Sequence, residues 1–200
     1  MKFRLGPMPR DPAFEPEREG WMRVSEPPLP RMLLILLPLM VVLGLLSHLM
    51  YWLAGANVKP LMDIRNAPIG LAIIVAIAPF HELLHLLSLP GFGMNQESIV
   101  GFWPKMVVPY VYYKGVLPRN RYILICACPL LVLSILPLLI AFVRPHIPLI
   151  IIAVSYLNFL LSGMDLASIY LLLKHVPSGA LVKNNGLDGY WRIKDNQDIP

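Results

Sequence analysis

Charge is scarce in this chain. Only 14% of its 200 residues are Asp, Glu, Lys or Arg, while 56% are hydrophobic. An average globular domain is about 25% charged and about 45–50% apolar, so an ordinary soluble domain is a poor fit to this composition. Cysteine is nearly missing as well, and with 2 Cys and 13 Gly neither a disulfide-stapled fold nor a collagen-like repeat is available. Disorder is excluded as the main character, because so apolar a chain buries enough surface to offset the entropy of ordering. The net charge of +5 would suit nucleic acid only if the basic residues clustered on one water-exposed face. They stand instead between long apolar runs, which removes nucleic acid as a partner.

Four runs are free of Lys and Arg and near or above the roughly 20 apolar residues that a bilayer core requires. They cover 32–54, 68–90, 122–143 and 148–173. Each is expected to be a transmembrane helix, since a lipid-exposed backbone can satisfy its polar groups only internally. The first run follows 31 polar, proline-rich residues, too long and too polar for the start of a cleaved signal peptide, so 1–31 reads as a disordered cytoplasmic tail. Fourteen of the 17 Lys and Arg fall in that tail, in the loop 91–121 and in the tail 174–200. The positive-inside rule then puts both termini of a multi-pass cell-membrane protein in the cytoplasm. Within the loop, 97–103 and 106–113 are rich in β-branched and aromatic residues around Pro104-Lys105, which fits a surface hairpin or an irregular amphipathic loop. The fold class expected is all-α, four transmembrane helices with a cytoplasmic β-hairpin between the second and third. The C-terminal tail carries a turn signal at Asn184-Asn185-Gly186 and reads as a small ordered cap or a partly disordered end.

Ionisable groups at membrane depth are costly, about 2.5–3.5 kcal/mol each on insertion scales, and therefore point to function. Within the four runs the carboxylates are Glu82 and Asp165 and the histidines are His48, His81 and His85. His81-Glu82-Leu83-Leu84-His85 is HExxH, which on a helix puts two imidazoles on one face, one turn apart, with a carboxylate beside them. A catalytic zinc site takes three protein ligands, and Asp165 is the other carboxylate at membrane depth. At about 1.5 Å per residue, His81 lies roughly 20 Å and Asp165 roughly 25 Å below the starts of their runs, a common level. Ser155, Asn158, Ser162, Asp165 and Ser168 form a polar stripe at helical spacing on the fourth run. His48 reads as a packing or interfacial histidine, His146 and His175 as solvated, and Cys126 and Cys128 as small hydrophobes.

Phe80–Leu87 (FHELLHLL), the hairpin-like stretch after it, and Asn158, Ser162 and Asp165 in series on a later helix carry a family resemblance. The chain resembles the small bacterial membrane proteins of the putative zincin peptidase family and, more distantly, the site-2-type intramembrane metalloproteases, over roughly residues 68–175. That resemblance implies a zinc metallopeptidase acting on membrane proteins or peptides in the lipid bilayer. It implies Zn2+ held by His81, His85 and Asp165, Glu82 as general base, and Asn158 holding the substrate main chain or the developing oxyanion. A metal transporter or carrier would use the same buried groups, but four spans are few and no inverted repeat is present. A non-catalytic scaffold derived from a protease has no need of the intact Glu82.

Overall fold

The computed structural model describes residues 1–25, 27, 29–144 and 146–194. Of the tail expected at 174–200, residues 195–200 lie outside the described residues. In chain order the elements are β1 (Lys2–Leu5), β2 (Met22–Arg23), α1 (Leu29–Leu53), α2 (Lys59–Met62), α3 (Ala67–Ser88), β3 (Ser98–Trp103), β4 (Val108–Tyr113) and β5 (Leu117–Pro118). They continue as α4 (Arg119–Pro129), a π-helical segment Leu130–Ile135, α5 (Leu136–Val143), α6 (Leu149–Leu161), α7 (Gly163–His175), β6 (Leu181–Asn185) and β7 (Asp188–Arg192). An all-α chain is therefore the wrong expectation, because seven strands form two sheets.

The chain divides into a sheet unit, Met1–Glu26 with Glu82–Cys126 and Ser168–Pro200, and a helical unit, Pro27–His81 with Ala127–Ala167. In the sheet unit one sheet has the order β1-β3-β4. The expected hairpin is present, with β3 and β4 antiparallel from Ser98↔Tyr113 to Trp103↔Val108, while β1 runs parallel to β3 with Lys2 opposite Ile99. The second sheet, in the order β2-β7-β6-β5, is antiparallel throughout. Its β6–β7 turn has two loop residues, and the first, Gly186, takes φ +66°, a conformation to which glycine is suited. The Tyr112 hydroxyl donates to the Asn184 carbonyl at 2.7 Å and so ties β4 to β6.

Proline and charge in the first 25 residues suggest a disordered tail, yet this segment is held in the sheet unit. Backbone pairing holds β1, whose four side chains are all exposed, so it shows none of the alternation that marks a half-buried strand. Aromatic anchors hold the rest. The Phe14 ring meets Trp21 and Tyr190 edge-on at 6.1 and 5.2 Å, and Lys183 Nζ stands 4.3 Å above it. Rings paired this way add about 0.5–1.5 kcal/mol each beyond the area they bury.

Three helical stretches, Leu34–Leu53, Ile64–Ser88 and Arg119–Val143, are long and apolar enough to cross a membrane. The expected fourth span differs. It is two helices, α6 and α7, bent by 46° at Ser162. Serine followed by glycine makes a weak helical step, and Gly163 is pressed against α1, where an added Cβ would lie 3.2 Å from Met40 Cγ. Gly44 makes the matching close approach to α6, 3.2 Å from the Tyr156 hydroxyl, as small residues do where apolar helices pack. The core of the helical unit gathers Tyr51, Ala54, Ala56, Val58, Ala141 and Ile152.

Candidate metal centre

Helix α3 carries the HExxH. Its residues are apolar on every side, so the three polar groups are set by the helix itself: His81 buried, Glu82 and His85 half-buried. His81 and His85 are one turn apart on the same face.

In the helical unit His81 meets Asn158 and Asp165. Its Nδ1 lies 2.8 Å from Asn158 Oδ1, and its Nε2 lies 3.1 Å from Asp165 Oδ2. The protons can be assigned from chemistry alone. The Asn158 amide nitrogen donates to the Pro129 carbonyl at 3.1 Å, a group that only accepts, so the amide oxygen is the atom facing His81. His81 Nδ1 therefore carries a hydrogen. A neutral imidazole then keeps its lone pair on Nε2, which points at a carboxylate oxygen. Two acceptors 3.1 Å apart repel unless a cation, a proton or a metal ion, lies between them.

His85 follows the same logic in the sheet unit. Its Nδ1 lies 2.9 Å from the Ile125 carbonyl oxygen, so Nδ1 donates, and in a neutral imidazole Nε2 is the nitrogen that carries the lone pair. An Nδ1–H held by a carbonyl oxygen is the outer-shell arrangement that orients metal-binding histidines. With Asp165 bonded to His81, and His85 one turn along the helix from His81, these three side chains form a group that could hold a metal ion. The donor set suits zinc, for which bonds of about 2.0–2.2 Å at tetrahedral angles separate ligand atoms by ~3.4 Å. The observed 3.1 Å requires only a small opening.

Glu82 turns to the first sheet. Its Oε2 accepts the Val111 N–H of β4 at 2.8 Å. Lys114 donates to the Glu97 carbonyl, and from that register the N–H and C=O groups of Val111 and Tyr113 face away from β3. They lie on the outer side of β4, which is an edge strand among the described residues. Pro109, which has no N–H to offer, also faces outward, as proline in an edge strand does.

Asn158 is fully buried, and its amide is engaged with His81, Pro129 and Ser134. That places it behind His81, with its amide oxygen toward the imidazole. The other histidines stand apart from this group. His48 has a buried Nδ1 with no hydrogen-bond partner among the described residues, His146 is exposed and His175 half-buried. The sequence did not single out Pro129, Ser134, Ile125 or Val111. Three of these act through the backbone and leave no residue-type signal, whereas Ser134 is the single serine of the run 122–143 and could have been found by asking what it bonds.

The model of one protein family matches residues 73–181, a stretch that contains the HExxH, both hairpin strands, Asn158 and Asp165. No curated protein and no solved structure matches the chain. The match covers more than half of the sequence, and the chain belongs to the family described as putative zincin peptidase.

Proposed function

We propose that this chain is a membrane-embedded zinc metallopeptidase that hydrolyses peptide bonds of membrane-associated substrates, with both termini cytoplasmic. One observation carries the reading. Two histidines one turn apart on a long apolar helix both have Nδ1 turned to a carbonyl oxygen, and the Nε2 of one faces a carboxylate at 3.1 Å. So deep a set of acceptors is costly to leave without a cation.

His81, His85 and Asp165 would hold the metal. Zinc, when bound, supplies a Lewis acid that polarises the scissile carbonyl and lowers the pKa of a water toward about 7. Glu82 takes the proton from the attacking water and passes it to the leaving amine, as a general base that then acts as an acid. The 2.8 Å bond from Val111 N–H holds the carboxylate in place for that task. Asn158 keeps His81 in the tautomer that leaves Nε2 to the metal. A helical substrate must unwind before its peptide bonds are accessible, and the outer edge of β4 offers the Val111 carbonyl and the Tyr113 main-chain groups to an added strand.

The test uses the purified full chain in detergent, with zinc measured by atomic emission and cleavage followed on a fluorescently labelled unstructured polypeptide. Glu82→Gln keeps an oxygen that accepts the Val111 N–H, so zinc content is expected to hold. Cleavage is expected to fall by about 10²–10⁴-fold, the range for loss of a general base. A Glu82→Gln protein that cleaves like the parent overturns the peptidase reading.

A further inference from the structure

Behind His81 lies a set of hydrogen bonds whose directions are all determined. Ser134 Oγ donates to the Ser155 carbonyl at 3.0 Å, and Ser155 Oγ donates to the Ser134 carbonyl at 2.9 Å. Each hydroxyl has one hydrogen, and both are committed. Ser134 Oγ can therefore only accept from Asn158, whose Nδ2 lies 2.8 Å away. Ser134, Ser155 and Asn158 are all fully buried, so no bulk water can exchange into these bonds and reverse them.

The backbone around Ser134 makes the arrangement possible. It lies in the π-helical segment Leu130–Ile135, which follows Pro129, whose carbonyl is another acceptor for the Asn158 amide. A π-helical turn displaces carbonyls from the ordinary i to i+4 ladder and makes them available to side chains. The two nearest acceptors of the Asn158 amide nitrogen, and the carbonyl that takes the Ser155 hydrogen, come from this one segment and the residue before it.

We infer that Ser134 is a positioning residue for the metal centre: its committed hydroxyl fixes the Asn158 amide one way round, and through it the tautomer in which His81 presents Nε2 to the metal. The inference rests on the proposed zinc site. Without Ser134, the Pro129 carbonyl and a long 3.5 Å contact to Ser162 Oγ are left to hold the amide nitrogen, and a rotated amide would turn an N–H toward His81 Nδ1 and drive the ring's hydrogen onto Nε2, where it blocks coordination. Ser155 supplies the acceptor through its backbone, so its own hydroxyl is dispensable for this effect.

The experiment measures zinc affinity by competition with a chelator, with a thermal melt of each metal-free protein as the check on folding. Outer-shell substitutions at metal sites weaken binding by about 10–100-fold. Asn158→Leu is expected in that range, and Ser134→Ala about 10-fold weaker than the parent. Ser155→Ala, which removes an equally buried hydroxyl, stays within about 2-fold. In the Asn158→Leu background Ser134→Ala adds nothing, because its route to the metal is already cut. The ¹⁵N chemical shifts of His81 in the metal-free protein report the same change as a gain of Nε2–H tautomer in Ser134→Ala. Equal effects of Ser134→Ala and Ser155→Ala, or additive effects in the double variant, overturn the inference. A parent that binds no zinc overturns the zinc site itself, a different and separately visible result.

Discussion

Asp165→Ala tests the metal centre at the proposed ligand that HExxH does not contain. The Asp165 carboxylate lies 3.1 Å from His81 Nε2 and is only 16% exposed, so no nearby water replaces it at full strength. Structural zinc sites with four ligands bind with about 10–16 kcal/mol, or about 2.5–4 kcal/mol per ligand. Losing one ligand and gaining a water in its place leaves a net cost of about 2.7 kcal/mol, which is about 100-fold in affinity. The consequence for stability can be worked out from mass action. At a zinc concentration 1,000 times the parent dissociation constant, zinc stabilises the parent by about 4.1 kcal/mol. At the same concentration the variant has only about a tenfold excess, and the gain falls to about 1.4 kcal/mol. Thermal melts of both proteins, with zinc and with chelator, read this directly as a zinc-dependent rise in Tm that shrinks to about a third. A variant that retains the parent's full zinc-dependent rise refutes the assignment of Asp165 as a ligand and moves the third ligand elsewhere.

Two further predictions concern the sheet unit. Gly101→Val is expected to destabilise the β3–β4 hairpin by about 2–3 kcal/mol, because a Cβ at Gly101 would stand 2.2 Å from the ring of the buried Tyr110 opposite. Chemical denaturation followed by tryptophan fluorescence checks it, and an unchanged midpoint would mean that the ring is not packed there. Burial pushes the phenols of Tyr110, Tyr112 and Tyr113 above their ordinary value of 10.0. The folded state then holds these protons more tightly than the unfolded chain, so the stability they contribute is complete below about pH 10 and is lost as the pH rises beyond it. Melts across the alkaline range should show that decline, together with tyrosinate absorbance appearing late, and a stability that stays level to about pH 11 contradicts it.

What could be seen in the sequence depended on how local the physics is. An apolar run of bilayer length declares a long helix by composition alone, so the helices around 32–54, 68–90 and 122–143 were legible, and so was HExxH, whose spacing belongs to a single helical turn. The hairpin at 98–113 was legible from two β-branched and aromatic runs on either side of Pro104-Lys105. The strands of the first 25 residues were not. β1 is bound by main-chain bonds to a strand almost 100 residues away, and its exposed side chains carry no pattern. β2 is two residues long, and its place is set by the aromatic contacts of Phe14 and Trp21 with Tyr190 and Arg192, which are tertiary.

The candidate site divides along the same line. Asp165 could be found by elimination, because a carboxylate at membrane depth is conspicuous. The role of Asn158 could not, because it depends on which way a buried amide faces. That direction is decided by the Pro129 carbonyl and by a hydroxyl whose only hydrogen is already given away. Helical spacing does place Ser155, Asn158, Ser162 and Asp165 on one stripe. It does not show the 46° bend at Ser162, which separates the stripe into Ser155 and Asn158, bonded to the π-helical segment, and Asp165, bonded to His81. In the proposed function one row of polar residues would serve two tasks: Asp165 would bind the metal, and Asn158 would set which nitrogen of His81 faces it.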